Sequence, residues 1–574
     1  MASRFSSFLA ELKRRKVYHV AVAYILVGWG VSQGAEFLFG DVLRLQDVVW
    51  QVVIGLIVLG FPIALVLAWA YELRPEEPRK VEQGTEGILE PSTVGDRKSI
   101  VVLPFDNMSP DPGDAYFSDG LTEEIITSLS RISSLRVISR SSAMVLKGTQ
   151  KEVRTIGREL DVQYVLEGSV RKAGNDLRIT AQLIDAASDE HLWADRYDGI
   201  LEDVFGMQED VSRSIVDALR LKLGPDEERR VTERPIDNLQ AYECYLRARY
   251  EFWTWGGGSL DRSMDLIERG LEVVGDNDLL QAWKGMILHN RVNSLLGSPD
   301  TYEDLLKQAR ECGERALASN PDSAPGHTLL GYVLVNSGHP TGAVQHFAEA
   351  LRLDPDNPEA LLYLGFMAAV GGWDLQGSRR LFERAAAVDP LTTSTRGALA
   401  WLYWMEGDFS EMLEGFREMT TETEKSKSPW RAYFAYLHAL GGQFDEAERL
   451  VDQQVADSPD HILTSLGKFL KSAWKGEKKQ ALEAVKEDLE KGAWWDDMWP
   501  LLMADAYALI EEDERALLWL DHAIDFGMTN TRFLGEYDPF LENLRSDHRF
   551  GKLMQKAQDL SESFSALVNI GELV

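Results

Sequence analysis

The sequence predicts a multidomain chain of three parts: two transmembrane α-helices, an α/β domain and an all-α repeat solenoid. Three observations predict it. Two runs, Val17 to Phe39 and Val48 to Tyr71, are almost free of charge. A block near 99–223 alternates strand-like and helix-like patterns, and from about residue 238 prolines recur at a near-constant interval. The expected parts are 1–16, a basic cytoplasmic N-terminus; 17–71, a transmembrane hairpin; 72–97, a flexible linker; and 98–224, the α/β domain. There follow 225–237, a second linker; 238–535, the solenoid; and 536–574, a C-terminal capping segment.

The first apolar run is interrupted only by His19, Gln33 and Glu36, and the second has no charged residue. Each is long enough to cross roughly 30 Å of hydrocarbon as a helix. The first is too long for a signal peptide, lacks a small-x-small cleavage site, and is followed by a second span. Arg4, Lys13, Arg14, Arg15 and Lys16 precede the first run, the loop Gly40–Asp47 holds only Arg44, and Arg74, Arg79 and Lys80 follow the second. The positive-inside bias then puts both termini in the cytoplasm and makes the membrane itself a partner. Gly30 with Gly34, and Gly60 with Ala64 and Ala68, form small-residue ladders that would let the helices pack closely or mediate a homodimer.

Acidic residues exceed basic ones by 92 to 60, a formal net charge of −32. Such a surface repels a phosphate backbone, so no nucleic-acid partner is expected. The two cysteines, Cys244 and Cys312, offer neither a disulfide framework nor metal-ligand spacing.

Within the α/β block, Ser99–Pro104 reads as a buried strand, Asp119–Arg131 as a helix, Leu135–Ile138 as a strand and Lys151–Leu160 as a helix. Strand-like runs follow near Gln163–Arg171, Leu177–Asp185 and Glu190–Tyr197, the first two joined by the turn Ala173-Gly174-Asn175-Asp176. An amphipathic helix closes the block near Glu202–Leu223. Asp106, Asp111 and Asp114 in the loop Phe105–Ser118 disfavour a phosphate ligand. Asp119, Glu123 and Glu124 read as a helix cap and first-turn acids, with no calcium-loop spacing. His191, Trp193, Asp195 and Tyr197 share one strand face without a neighbouring nucleophile.

The segments IVVLPFDNMSPDPGDAYFSDGLTEEIITSLSRI, LRVISRSS, IGRELDVQYVLEGSVRKAGNDLRITAQLIDAASDEHLWADRYD and VFGMQEDVSRSIVDAL resemble the TolB amino-terminal-like, FlgO-related domain. The resemblance spans roughly 99–223, and such domains occur in bacterial multidomain proteins that end in tetratricopeptide repeats. The segment ending FPIALVLAWAYEL is similar to the membrane segment found ahead of such domains, which implies a multi-pass bacterial inner-membrane location. Relatives often carry an adenylate cyclase, a protein kinase or a winged-helix domain there, where this chain has its apolar runs. No Walker A loop, HExxH, GxSxG or dinucleotide fingerprint is present, so no catalytic residue, metal or cofactor is expected.

Pro321, Pro355, Pro390 and Pro459 are spaced by 34, 35 and 69 residues, and a period near 34 marks tetratricopeptide repeats. The clearest copy runs from Ala324 to Asn357, with Leu330, Gly331 and Leu334 on a first helix and Ala343, Phe347 and Ala350 on a second. Weaker copies on either side bring the total to about eight helix pairs, above the three or so a solenoid needs. Mapping the repeat places Tyr332, Asn336, Trp401, Trp404 and Tyr436 on first helices, which line the concave face. These rings and the amide could anchor a peptide of a protein partner. They could equally complete the packing between repeats, and helical spacing leaves both readings open. The expected function is that of a non-enzymatic, membrane-anchored scaffold or signalling adaptor. The alternatives are a regulatory component of a cyclase-type or transcriptional signalling system, or an envelope-assembly factor if the chain faces the periplasm.

Overall fold

The computed structural model describes residues 97–574 other than 233, 255–257, 295–297, 427, 429 and 574. These residues belong to one compact unit, Thr93–Val574. Its first part is a sheet of β1 (Lys98–Val102), β2 (Asp106–Asn107), β3 (Leu135–Val137), β4 (Tyr164–Ala173), β5 (Asp176–Asp185) and β6 (Glu190–Ile200). The strand order is β3-β1-β4-β5-β6, with β2 pairing β4. β1 runs parallel to both neighbours, and Ile100, Val101 and Val102 are fully buried, the continuous apolar run that a two-sided strand requires. β4, β5 and β6 are antiparallel; on β5 Leu177, Ile179, Ala181 and Leu183 point inward while the intervening side chains do not. The β4–β5 turn places Gly174 at φ +63°, as a tight hairpin requires.

Helices α1 (Ala115–Ser130), α2 (Arg140–Val145), α3 (Val153–Glu159) and α4 (Val204–Ala218) pack on this sheet, and α5 (Pro225–Thr232) leads out of it. α1 starts four residues before the helix read from sequence, because Asp111 caps a 3-10 turn, Pro112–Asp114, that runs straight into it.

Helix pairs follow: α6 (Leu239–Thr254) with α7 (Ser259–Val274), α8 (Asp278–Asn293) with α9 (Tyr302–Ser319), α10 (Ala324–Asn336) with α11 (Pro340–Leu353), and α12 (Pro358–Gly371) with α13 (Leu375–Val388). A single turn, α14 (Thr393–Arg396), precedes α15 (Ala398–Met405) with α16 (Phe409–Lys425) and α17 (Arg431–Leu440) with α18 (Phe444–Asp457). Then come α19 (Ile462–Trp474) with α20 (Lys478–Ala484), the short α21 (Glu487–Ala493), α22 (Trp499–Leu509) with α23 (Asp513–Asp525), and α24 (His548–Leu567). The all-α repeat solenoid expected from the proline period is therefore present.

The local chemistry explains the repeat. Pro340 and Pro358 occupy first-turn positions, where the missing N–H costs nothing, and the Asn357 side chain caps the Ala360 N–H. At Gly331 a Cβ would sit 2.6 Å from the Phe347 ring, so glycine sets the distance between α10 and α11. Cys244 and Cys312 are buried free thiols.

The expected fold class and location need correction. Among the described residues no helix is long and apolar enough to cross a membrane, against the expectation of two transmembrane helices in a multi-pass inner-membrane protein with the membrane as a partner. The most apolar described helices, α15, α12 and α22, have 8, 14 and 11 residues. Spanning hydrocarbon takes about 20, and these helices instead bury their apolar sides against their paired helices. The runs 17–39 and 48–71, and the small-residue ladders that suggested a homodimer, lie outside the described residues.

Candidate functional site

First helices of successive pairs carry a nearly unbroken row of rings. His289 stacks on Tyr332 (5.2 Å between centroids), Tyr332 meets Tyr363 edge-on (4.5 Å), and Phe366 meets Trp401 edge-on (4.8 Å). Trp401 stacks on Trp404 (5.6 Å) and lies 6.1 Å from Tyr433, while Trp404 meets Tyr436 at 5.9 Å. Such edge and offset contacts favour a defined, rigid lining over a mobile one.

Of the five residues read from sequence as partner-binding, four rings join this row, but most of their surface is already used. Tyr332 is buried, Trp404 is fully buried against Phe533, and Tyr436 is fully buried with its hydroxyl donating to Asp505 Oδ2 at 2.5 Å. Asn336 is buried; its Oδ1 pairs with His289 Nε2 at 2.8 Å and its Nδ2 donates to the Trp495 carbonyl at 3.0 Å. Trp401 alone is half-buried.

Three further rings complete the row: Tyr363, Phe366 and Tyr433. Phe366 sits 34 residues after Tyr332 and 35 before Trp401, so the repeat period itself points to it. Tyr363 and Phe366 are half-buried, whereas Tyr433 is 9% exposed and its hydroxyl has no hydrogen-bond partner.

The loop between α21 and α22 comes over this row from far along the chain. The Trp495 carbonyl holds Asn336, Lys491 at the end of α21 pairs with Asp300 at 2.6 Å, and the Trp494 carbonyl accepts from His522 Nε2 at 3.0 Å. The loop thereby ties early repeats to late ones and presents two half-buried acids, Asp496 and Asp497. Asp496 Oδ1 accepts from the N–H groups of Met498 and Trp499, each at 2.9 Å, at the start of α22. Among the described residues Asp497 forms no ion pair; burial first, and Asp496 second, push its carboxyl up to about 8. Both carboxylates act on the Tyr433 hydroxyl, raised first by burial, and they are felt at Tyr363 as well. Deeper in, Asp538 accepts from Phe540 N–H and is pushed up to about 7, chiefly by burial.

The α/β domain meets the same solenoid through matched charges. Arg249 of α6 is ion-paired with Glu123 and lies 3.2 Å from Glu124, while its guanidinium covers the rings of Tyr245 (4.9 Å) and Trp283 (5.1 Å). Arg140 lies 2.9 Å from Glu123, and Lys147 lies 2.6 Å from Asp119. The three acids read from sequence as a helix cap and first-turn residues are thus ion-pair partners on α1. Arg97 and Arg384 flank Asp356 at 2.6 and 2.9 Å, and Asp389 accepts from the Ser142 N–H (3.1 Å) and hydroxyl (2.6 Å). Gly120, where a Cβ would lie 2.7 Å from Leu246, lets α1 approach α6. A cavity beside this joint, lined by Glu124, Gln208, Arg234 and Tyr242, holds only about 40 Å³, room for a few waters. On β6, Trp193 and Tyr197 are half-buried, with the Tyr197 and Ser214 hydroxyls 3.0 Å apart, while His191 and Asp195 are exposed. Among the described residues no group of three His, Cys, Asp or Glu is arranged to hold a metal.

Comparison with known proteins agrees with the repeat architecture. Residues 305–358 and 328–372 match the tetratricopeptide repeat family, and residues 96–210 match the second domain of HilA/YgeH-like transcriptional regulators. A protein of Rhizobium meliloti (strain 1021) named "Putative adenylate cyclase 3" is 36% identical over 282 residues, 47% of this chain and 45% of that one. A Pseudomonas putida protein named "Probable biofilm formation methyltransferase WspC" is 42% identical over 80 residues, 14% of this chain and 19% of its own. The chain thus spans less than half the length of either curated relative. The crystal structure of yeast Tom70 aligns over 64% of this chain and 79% of its own at 14% identity and a TM-score of 0.31, a likeness too low to carry an argument. The chain carries tetratricopeptide repeats behind a domain similar to one found in HilA-like regulators.

Proposed function

We propose that this chain is a non-enzymatic scaffold or signalling adaptor that binds protein partners through its tetratricopeptide repeats. The observation that carries this reading is the row of rings on the first helices, of which Tyr363, Phe366 and Trp401 keep part of their surface open. Aromatic anchors of this kind dominate protein interfaces. Tyr332, Asn336, Trp404 and Tyr436 then act as the rigid backing of that surface, and Trp401 as the member that reaches the partner. The α/β domain, which resembles TolB amino-terminal-like domains, serves as a regulatory or assembly module held on the solenoid by ion pairs. A second reading, a regulatory component of a cyclase-type or transcriptional signalling system, is supported by the match of residues 96–210 to HilA/YgeH-like regulators.

Site-specific photocrosslinking in producing cells tests the first reading. A photoreactive residue at Phe366 should trap a defined protein, lost in Trp401→Ala, whereas the same residue at exposed Leu518 should not. Equal trapping at both positions, or none at Phe366, would overturn it.

A further inference from the structure

Two histidines of the clearest repeat face each other. His327 lies in the first turn of α10 and His346 in the middle of α11, and both are half-buried, so solvent reaches them. Their Nδ1 atoms are 2.9 Å apart and their ring centroids 5.1 Å apart. His327 Nε2 lies 3.2 Å from the Pro321 carbonyl, which can only accept, so Nε2 carries the ring proton and Nδ1 keeps its lone pair. The pair is joined by one hydrogen bond, with His346 Nδ1–H donating to His327 Nδ1.

This is the arrangement of a ligating imidazole, which donates its second N–H to a carbonyl and so aims its other nitrogen. Metal–imidazole bonds of about 2.0–2.1 Å place two nitrogens about 2.9 Å apart when they meet at a right angle, and about 3.3 Å apart at a tetrahedral one. The observed separation matches the right angle, the geometry of copper(II) and nickel(II) rather than of zinc. Burial first, and His327 second, hold the His346 ring down to about 4, so it is neutral at pH 7. The nearby charges are offset: Glu349, one turn along α11, pairs with Arg352 at 2.6 Å, and Arg310 of α9 pairs with Glu314 at 3.0 Å.

We infer that the Nδ1 atoms of His327 and His346 form a two-nitrogen site for a square-planar divalent transition metal, copper(II) before nickel(II). The metal replaces the hydrogen bond between the rings. Small turns of the two rings aim both lone pairs at it, the His346 proton passes through solvent to its own Nε2, and no net proton is released. Water completes the plane, since among the described residues no third His, Cys, Asp or Glu is grouped there. Copper(II) heads the divalent series for nitrogen donors, whereas calcium and magnesium need oxygen ligands and do not fit. The site shares no residue with the row of rings, so it stands or falls apart from the protein-binding reading.

The test adds copper(II) sulfate, up to one equivalent in a non-coordinating buffer near neutral pH, to the protein comprising all 574 residues. Calorimetry reads the affinity and electron paramagnetic resonance the ligands. The bound ion should give an axial spectrum with splitting from two nitrogens. His327→Gln and His346→Gln should each weaken binding about tenfold or more, as expected for the loss of one ligand bond, and reduce the splitting to one nitrogen. His548→Gln, at an exposed ring outside the site, should change neither. Circular dichroism before titration confirms that the variants are folded. A spectrum without nitrogen splitting, or no binding at millimolar metal, overturns the site. Binding unchanged in both His327→Gln and His346→Gln marks an adventitious ion only and overturns it equally.

Discussion

Two pairs of adjacent acids are withdrawn from solvent in this protein, and they differ in their partners. Glu123 and Glu124 hold Arg249, itself laid over Tyr245 and Trp283, whereas Asp496 and Asp497 have no cationic partner among the described residues, and Asp496 Oδ1 instead accepts from the Met498 and Trp499 N–H groups. The first pair is a joint: it fixes the α/β domain to the solenoid, while burial pushes Glu124 up to about 7 and Arg249 down to about 9. The second is strained by its own burial, since Asp497 is pushed up to about 8 with nothing opposite it. The matched charges join two parts of the fold, whereas Asp496 meets only backbone N–H groups and Asp497 meets no charge of opposite sign among the described residues.

Breaking the joint should have the largest effect. Arg249→Ala leaves buried Glu123 with Arg140 and Glu124 with the charge of Arg131, and uncovers two rings. Removing one member of a buried pair costs about 3–5 kcal/mol. Calorimetry should show the loss as a lower Tm, with faster proteolysis near 225–237 as the α/β domain loosens. An unchanged Tm would mean the joint is held by its apolar contacts and its other polar ties, among them Arg97 with Asp356 and the Asp389 hydrogen bonds.

A smaller effect should come from pH. Asp538 is pushed up to about 7 by burial, and its Oδ2 has no partner. An unfolded aspartate titrates near about 3.9. The folded state therefore holds the proton more tightly, and the stability this contributes is complete below about pH 4 and lost as pH rises through about 7. Asp538→Asn, which keeps an acceptor for the Phe540 N–H, should flatten the fall in Tm between pH 5 and pH 8 by roughly 2 °C. An identical pH slope in wild type and variant would remove Asp538 from this account.

The repeats were legible because prolines at 34- and 35-residue intervals report backbone constraints that tertiary packing does not alter. The strands of the α/β part were legible from the same kind of local signal, apolar runs and alternation, although β2, with two residues, leaves no pattern to read. The candidate site was only half legible. Spacing puts Tyr332, Trp401 and Tyr436 on first helices but cannot say what covers them. Trp495 reaches Asn336 from 159 residues away, and Tyr436 meets Asp505 across 69. Asp119 and Glu123 were misread for a related reason: the helix starts at Ala115, which moves them inward from its first turn, and Glu124 meets Arg249 across 125 residues. No local pattern encodes such pairs. The two apolar runs that dominated the expected fold class lie outside the described residues, and no described helix replaces them.

The most direct test is the thermal stability of Asp497→Asn, measured beside Arg249→Ala. If the Asp497 carboxyl does no work in the fold, Asp497→Asn leaves Tm unchanged at pH 7, where a carboxyl pushed up to about 8 is largely protonated, and raises it at pH 9 by the equivalent of about 1 kcal/mol, as expected when an unpaired desolvated charge is lost. If Tm falls in Asp497→Asn as it does in Arg249→Ala, the pair is part of the fold, and the contrast between the two sites is wrong.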